Sequence, residues 1–197
     1  MIIAVDTETT HYKAHLAEVI EIGAVTEDGD TFESLANPGI DLIKCQDALR
    51  VNGITEEEVL GAPDIWDVAQ KFNGWLRSQY TRDAHIELCG YNSKNYDSRI
   101  LARDPWRLPL SVWQYDVMEM AMTHMGNAGA LPVHPYYGTL KWPKLIEAEA
   151  FFHIQREGKA HRALSDAKAT LDILRAIQGM DEEIPETKGS SPSRRQA

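Results

Sequence analysis

Cysteine is almost missing from this chain: Cys45 and Cys89 are the only two among 197 residues. Their separation matches no metal-ligand spacing, and nothing indicates secretion, so two reduced structural thiols in a cytoplasmic protein are expected. Long apolar runs are missing too. None approaches the roughly 20 residues a membrane helix needs, and the first residues lack a basic segment leading into an apolar one. Membrane association and a secretory leader are therefore not expected. Positive charge is scarce, with 20 Lys and Arg against 30 Asp and Glu, for a net charge of −10. That balance speaks against a long basic track for a polyanion. It does not speak against an enzyme that grips only a few nucleotides. Carboxylates committed to metal ions count as negative in the sum, yet they form a locally positive site once loaded.

What is present is a soluble composition, 43% hydrophobic and 25% charged, in a length suited to one α/β domain. The first ten residues organise it. Ile2 to Val5 suit a strand covered on both faces, and that strand runs directly into Asp6 and Glu8. A side-chain period of two sends both carboxylates to the same side. Two like charges at the edge of a core repel each other unless a cation lies between them, and a hard divalent metal is the natural candidate.

Further along, residues 17–25 and 31–35 read as strands joined by the turn at Glu27-Asp28-Gly29-Asp30. A short helix is expected near 46–51. Thr55 with Glu58 has the form of a capping box, and an amphipathic helix runs from Asp64 to Tyr80. A strand over 84–89 ends in Gly90-Tyr91-Asn92, followed by a helix over 96–102. A short strand over 111–115 leads into Asp116 and a Met-rich helix over 117–125. The stretch 126–138 is irregular. Helices are expected over 139–152, with Pro143 in the first turn, and over 160–178. Residues 181–197 have the composition of a disordered tail, leaving 1–180 as the domain. Three strands in succession followed by alternating strands and helices give an α/β architecture on one mixed sheet. Ligands of such sheets gather at the carboxyl ends of strands, where Asp6, Glu8 and the 91–97 loop fall.

His161 and Asp166 add to this. Five residues apart, they sit roughly 140° around a helix and share no face. They can address one cleft if His161 lies in the loop before the helix. Taken alone, Asp166 is explained by the helix dipole.

Together, Asp6-Thr7-Glu8-Thr9-Thr10, Val19-Ile20-Glu21-Ile22-Gly23-Ala24-Val25, the Tyr91–Asp97 segment and His161-Arg162-Ala163-Leu164-Ser165-Asp166-Ala167 resemble the DEDDh family of 3′–5′ exonucleases. These are the DnaQ-like proofreading nucleases. The resemblance covers residues 1 to about 178. Asn52-Gly53-Ile54-Thr55 is similar to the family's His-Gly-Ile-Thr turn, with Asn52 in place of His. His11 stands where the family commonly has Gly. The longer spacing from Asn92 to Asp97, together with Tyr115-Asp116-Val117-Met118, is similar to the exonuclease I branch.

The resemblance implies a ribonuclease H-like three-layer fold with a mixed, five-stranded central sheet flanked by helices. It implies two divalent ions, Mg²⁺ or Mn²⁺, held by Asp6, Glu8, Asp97 and Asp166, with His161 as general base and Asp116 as the rival third carboxylate. Thr7, Thr9, Thr10, Tyr91 and Asn92 are the implied substrate contacts, and Trp113, Tyr136 and Tyr137 are further aromatics that could stack on bases. The expected substrate is the 3′ end of single-stranded DNA, with RNA as the alternative. A catalytically silent binding module is the third reading. A polymerase or another replication or repair protein is a conceivable partner.

Overall fold

The computed structural model describes residues 1–80, 82 and 85–182; Ala84 and the tail from 183 onward lie outside the described residues. Three strands come first, β1 (Ile2–Thr9), β2 (Val19–Thr26) and β3 (Thr31–Leu35). A 3-10 turn (Leu42–Cys45) leads into α1 (Gln46–Asn52), α2 (Glu56–Gly61) and α3 (Ile65–Tyr80). Then follow β4 (Glu87–Gly90), α4 (Asp97–Leu101), a second 3-10 turn (Leu110–Val112), β5 (Trp113–Asp116), α5 (Val117–Asn127), α6 (Leu145–Phe151) and α7 (Ala163–Glu182).

The sheet order is β3-β2-β1-β4-β5. β1 is its centre, antiparallel to β2 and parallel to β4, while β2 and β3 pair antiparallel and β4 and β5 parallel. A sheet this mixed needs cover on both faces, and the buried side chains divide accordingly. On one face Ile3, Val5 and Leu88 meet Val68, Phe72 and Leu76 of α3 and Ile100 and Leu101 of α4. On the other, Ala4 and Cys89 meet Val117 and Ala121 of α5 and Leu171 and Leu174 of α7. A smaller cluster gathers Leu42, Leu49, Ile54 and Val59 against Ile20. This is the expected three-layer fold with five strands. Cys45 and Cys89 are free and buried, and no described helix is long and apolar enough to cross a membrane.

Local rules account for most boundaries. Thr55 and Glu58 close a reciprocal capping box at α2, and Asp64 accepts the Trp66 N–H at the start of α3. Two expectations shift. The helix over 139–152 is only α6, because the preceding residues spend their backbone groups across a loop: His134 N–H donates to Thr139 and Lys141 N–H to Pro132. Pro143 therefore precedes the helix rather than sitting in its first turn. The last helix begins at Ala163 and not 160, since His161 is left-handed (φ 60°) and the Ala163 N–H is taken by a side chain from the sheet, Glu21.

Candidate active site

The register of β1 on β2 places Asp6 opposite Gly23 and Glu8 opposite Glu21. Every residue of β2 is buried. Gly23 matters because it has no side chain: an ideal Cβ there would stand 2.1 Å from the Leu164 nitrogen and 2.3 Å from the Ala163 carbonyl carbon. The first turn of α7 thus rests on the strand backbone. Glu21, fully buried, secures the contact by accepting the Arg162 guanidinium through Nε (2.9 Å) and Nη2 and the Ala163 N–H (3.0 Å). A carboxylate capping a helix N-terminus also meets the positive end of its dipole.

That seating brings the last motif to the first. Ligand-type atoms of Glu8, His161 and Asp166 all lie within 4.8 Å of one another, with Glu8 and Asp166 buried and His161 exposed in the loop. Asp97, at the start of α4, joins the group: it is buried, accepts a hydrogen bond from Thr7 Oγ1 at 2.6 Å, and its charge acts on both Asp6 and Glu8. Four carboxylates from three distant segments therefore share one place. The cost appears in their protonation. Burial, then the charges of Asp97, Glu8 and Asp166, holds Asp6 well above the ordinary carboxylate range. Burial, then Asp166, Glu21 and Asp97, pushes Glu8 up to about 8. Burial lifts Asp97 to about 7 against the pull of the Thr7 hydrogen bond. Such a group is stable as carboxylates only with added positive charge, and an all-oxygen donor set beside one imidazole suits a hard divalent cation.

Asp116 is placed differently. Its Oδ1 accepts the N–H groups of Asn92 (3.1 Å) and Met118 (3.1 Å), and its Oδ2 that of Lys94 (3.0 Å). It caps α5 and holds the 91–96 loop, while Asp97 is the acid whose charge acts most strongly on Asp6.

The three threonines border a cavity of about 420 Å³ beside the carboxylates, walled by Tyr12, Ala48, Val51 and Tyr96. Thr9 Oγ1 is hydrogen-bonded to the Tyr96 hydroxyl, and Thr10 Oγ1 accepts the Glu18 N–H. Asn52 donates to the Thr9 carbonyl (3.1 Å), which fixes α1 against the end of β1. Asn92, left-handed at φ 61°, lines the adjoining cleft. Tyr91 points elsewhere: its hydroxyl donates to the Pro143 carbonyl and its ring packs with the α5–α7 face. Trp113 is core, and Tyr136 and Tyr137 stand exposed on the 126–138 loop.

Residues beyond the four acids and His161 also belong here. Arg156 bridges Asp166 and the buried Glu149. Glu21 and Arg162 fix the His161 loop to β2. The sequence signal for Glu21 is an acid in the middle of an otherwise apolar strand, which requires a partner when buried.

The RNase_T family pattern, that of an exonuclease, matches residues 3–174. The chain belongs to this exonuclease family. The uncharacterized exonuclease CP81 of Escherichia phage 186 is 31% identical over 180 residues, covering 89% of this chain and 87% of its own length. Among solved structures, cell-death related nuclease 4 superposes with a TM-score of 0.68 at 16% identity, over 91% of this chain and 64% of that one. Product-bound exonuclease I gives 0.66 at 16% identity, over 90% of this chain and 43% of that one. Those two likenesses are of fold, and the chain spans less than two thirds of either. The cluster at the end of β1 is the candidate active site of this exonuclease domain.

Proposed function

We propose that the chain is a DEDDh-type 3′–5′ exonuclease that removes nucleoside 5′-monophosphates from the 3′ end of single-stranded DNA. One observation carries this reading: Asp6, Glu8, Asp97 and Asp166 converge from three segments, with His161 at the open side. A fold alone does not require four acids in one place, and their mutual repulsion would select against them without a task.

Asp6, Glu8 and Asp166 would hold one divalent cation, with Asp6 shared and Asp97 serving a second. Mg²⁺ or Mn²⁺ bound there would neutralise the charge that develops on the attacking and leaving oxygens. The remaining work falls to the chain. His161, in a solvent-reached loop and close to Glu8 and Asp166, takes the proton from the attacking water. The rim of Thr7, Thr9 and Thr10 receives the terminal nucleotide in the cavity it borders, with Ala48 and Val51 offering an apolar wall to the base. Asn92 addresses the strand on the leaving side. Because the last nucleotide must be splayed into that cavity, an unpaired end is the suitable form.

The test offers single strands of DNA and RNA, labelled at the 3′ or the 5′ end, with Mg²⁺, Mn²⁺ or chelator. A mononucleotide ladder from the 3′ end of DNA, abolished by chelator, is the expected result. Degradation from the 5′ end, or of RNA alone, would overturn polarity or substrate respectively. Firm binding without cleavage under any metal would leave a binding module.

A further inference from the structure

Beside the terminal-nucleotide cavity runs a second cleft of about 470 Å³, and the two share Tyr12 and Tyr96 as a common wall. Its lining includes Lys13, His15, Arg99 and Arg103, and no carboxylate among the described residues lines it. In a chain where acids outnumber Lys and Arg by 30 to 20, this local reversal is not what composition would scatter at random.

The cations fall into two kinds. Arg103 is structural: its guanidinium donates to the carbonyls of Ala14 (3.0 Å), His15 (3.4 Å) and Ala17 (2.6 Å), and so fixes the 11–17 loop. Lys13 and Arg99 are exposed. Lys13 Nζ lies 5.6 Å from the Tyr12 ring centroid, and Arg99 spends its Nε on the Lys94 carbonyl (3.2 Å). Neither forms an ion pair among the described residues. Two unneutralised side-chain cations on one rim, over a scaffold set by a third, fit a repeating anion.

We infer that this cleft is the track for the phosphate backbone of the substrate strand upstream of the scissile bond, with Lys13 and Arg99 as its contacts. The inference rests on the exonuclease reading for the identity of the strand, but on the cleft's own charge for its location. Terminal-nucleotide recognition and strand retention then occupy separate walls of Tyr12 and Tyr96. The enzyme grips long strands by charge at a place that takes no part in bond cleavage.

The double variant Lys13→Gln/Arg99→Gln tests it, since both positions are exposed and neither side chain secures the 11–17 loop, which Arg103 holds. Binding of a fluorescein-labelled oligothymidylate is followed by anisotropy in chelator across a salt series. Loss of two phosphate contacts should lower the slope of log affinity against log salt by about 1.4, and weaken binding roughly tenfold at moderate salt. With metal, KM for the oligomer should rise by a similar factor. Hydrolysis of the 4-nitrophenyl ester of thymidine 5′-monophosphate, which has no upstream strand, should change by less than about twofold. Arg99→Lys should restore most of the salt slope. An unchanged slope and affinity in the double variant would overturn the assignment. So would an equal loss on the ester. A wild-type chain that hydrolyses neither substrate would defeat the exonuclease reading instead, while the anisotropy series would still decide the cleft.

Discussion

The Leu164 backbone nitrogen occupies the space a side chain on Gly23 would need, 2.1 Å from where its Cβ would be. The first turn of α7 can approach β2 this closely only over a glycine, and Asp166 reaches Glu8 because of that approach.

Gly23→Ala should therefore act on the site more than on the core. The obstacle is backbone, which cannot rotate away, so the helix start must lift. Overpacking of this kind costs about 1–3 kcal/mol. A lower melting temperature with a larger fractional loss of metal affinity, read by Mn²⁺ calorimetry, is expected. Wild-type metal affinity in a folded variant would show that the helix start tolerates displacement.

Glu21 and Arg162 should respond unequally. Glu21 is fully buried, whereas the Arg162 side chain is 39% exposed. Arg162→Gln leaves a buried charge short of its partner and should cost about 3–5 kcal/mol. Glu21→Gln releases an arginine to water and should cost about 1.5–3 kcal/mol. Denaturant unfolding of both variants and the double variant checks the order, and the double variant should be more stable than Arg162→Gln.

Asp97 and Asp116 should separate in the same way. Asp97→Asn removes a charge from a crowded group, so the chelated protein should be at least as stable as wild type while turnover falls by orders of magnitude. Asp116→Asn keeps the oxygen that accepts Asn92 and Met118 but turns an N–H group toward the Lys94 N–H. It should lose about 1–3 kcal/mol and retain turnover with a raised KM. Thermal melts and kinetics on the two variants distinguish a ligand from a loop support.

The raised carboxylates set a pH dependence with a definite sign. With Glu8 near 8 and Asp97 near 7, the folded metal-free chain keeps protons that the unfolded chain releases near pH 4. Between those limits the native state holds more protons, so metal-free stability falls as pH rises from about 4 toward 8. Metal binding must expel those protons, so affinity rises over the same window and levels off above it. Mn²⁺ titration calorimetry in buffers of different ionisation enthalpy should register at least one proton released near pH 6.5. A proton count of zero would place the metal elsewhere.

His161→Asn tests the general base without disturbing the backbone, because Asn accepts the left-handed conformation that His161 holds at φ 60°. Turnover should fall by roughly 10²–10⁴ at neutral pH, with oligonucleotide affinity in chelator unchanged. Turnover within a few-fold of wild type would assign the proton to another acceptor.

Much of this was written linearly. The apolar run from Ile2 to Val5 leading into Asp6 and Glu8 marks β1, the capping box marks α2, and the order of the motifs singles out Asp6, Glu8, Asp97, His161 and Asp166. Those signals are local, because they depend on side-chain period and on backbone groups a few residues away. α7 starts three residues later than its periodicity predicts because its first N–H is satisfied by Glu21, 142 positions distant. Pro143 falls before its helix, not in the first turn, because the preceding chain pairs across a loop.

Periodicity and cap chemistry in the chain determined most of its strands and helices, and the resemblance of its motifs pointed to the acids. The tertiary structure alone decided that Asp116 serves a loop while the charge of Asp97 acts on Asp6, that Tyr91 turns into the helical layer, and that Lys13 and Arg99 share one cleft with no carboxylate lining it among the described residues. The reason is physical: a strand's pattern sets which face a side chain takes, but what stands opposite that face comes from segments whose distance along the chain carries no information about their distance in space.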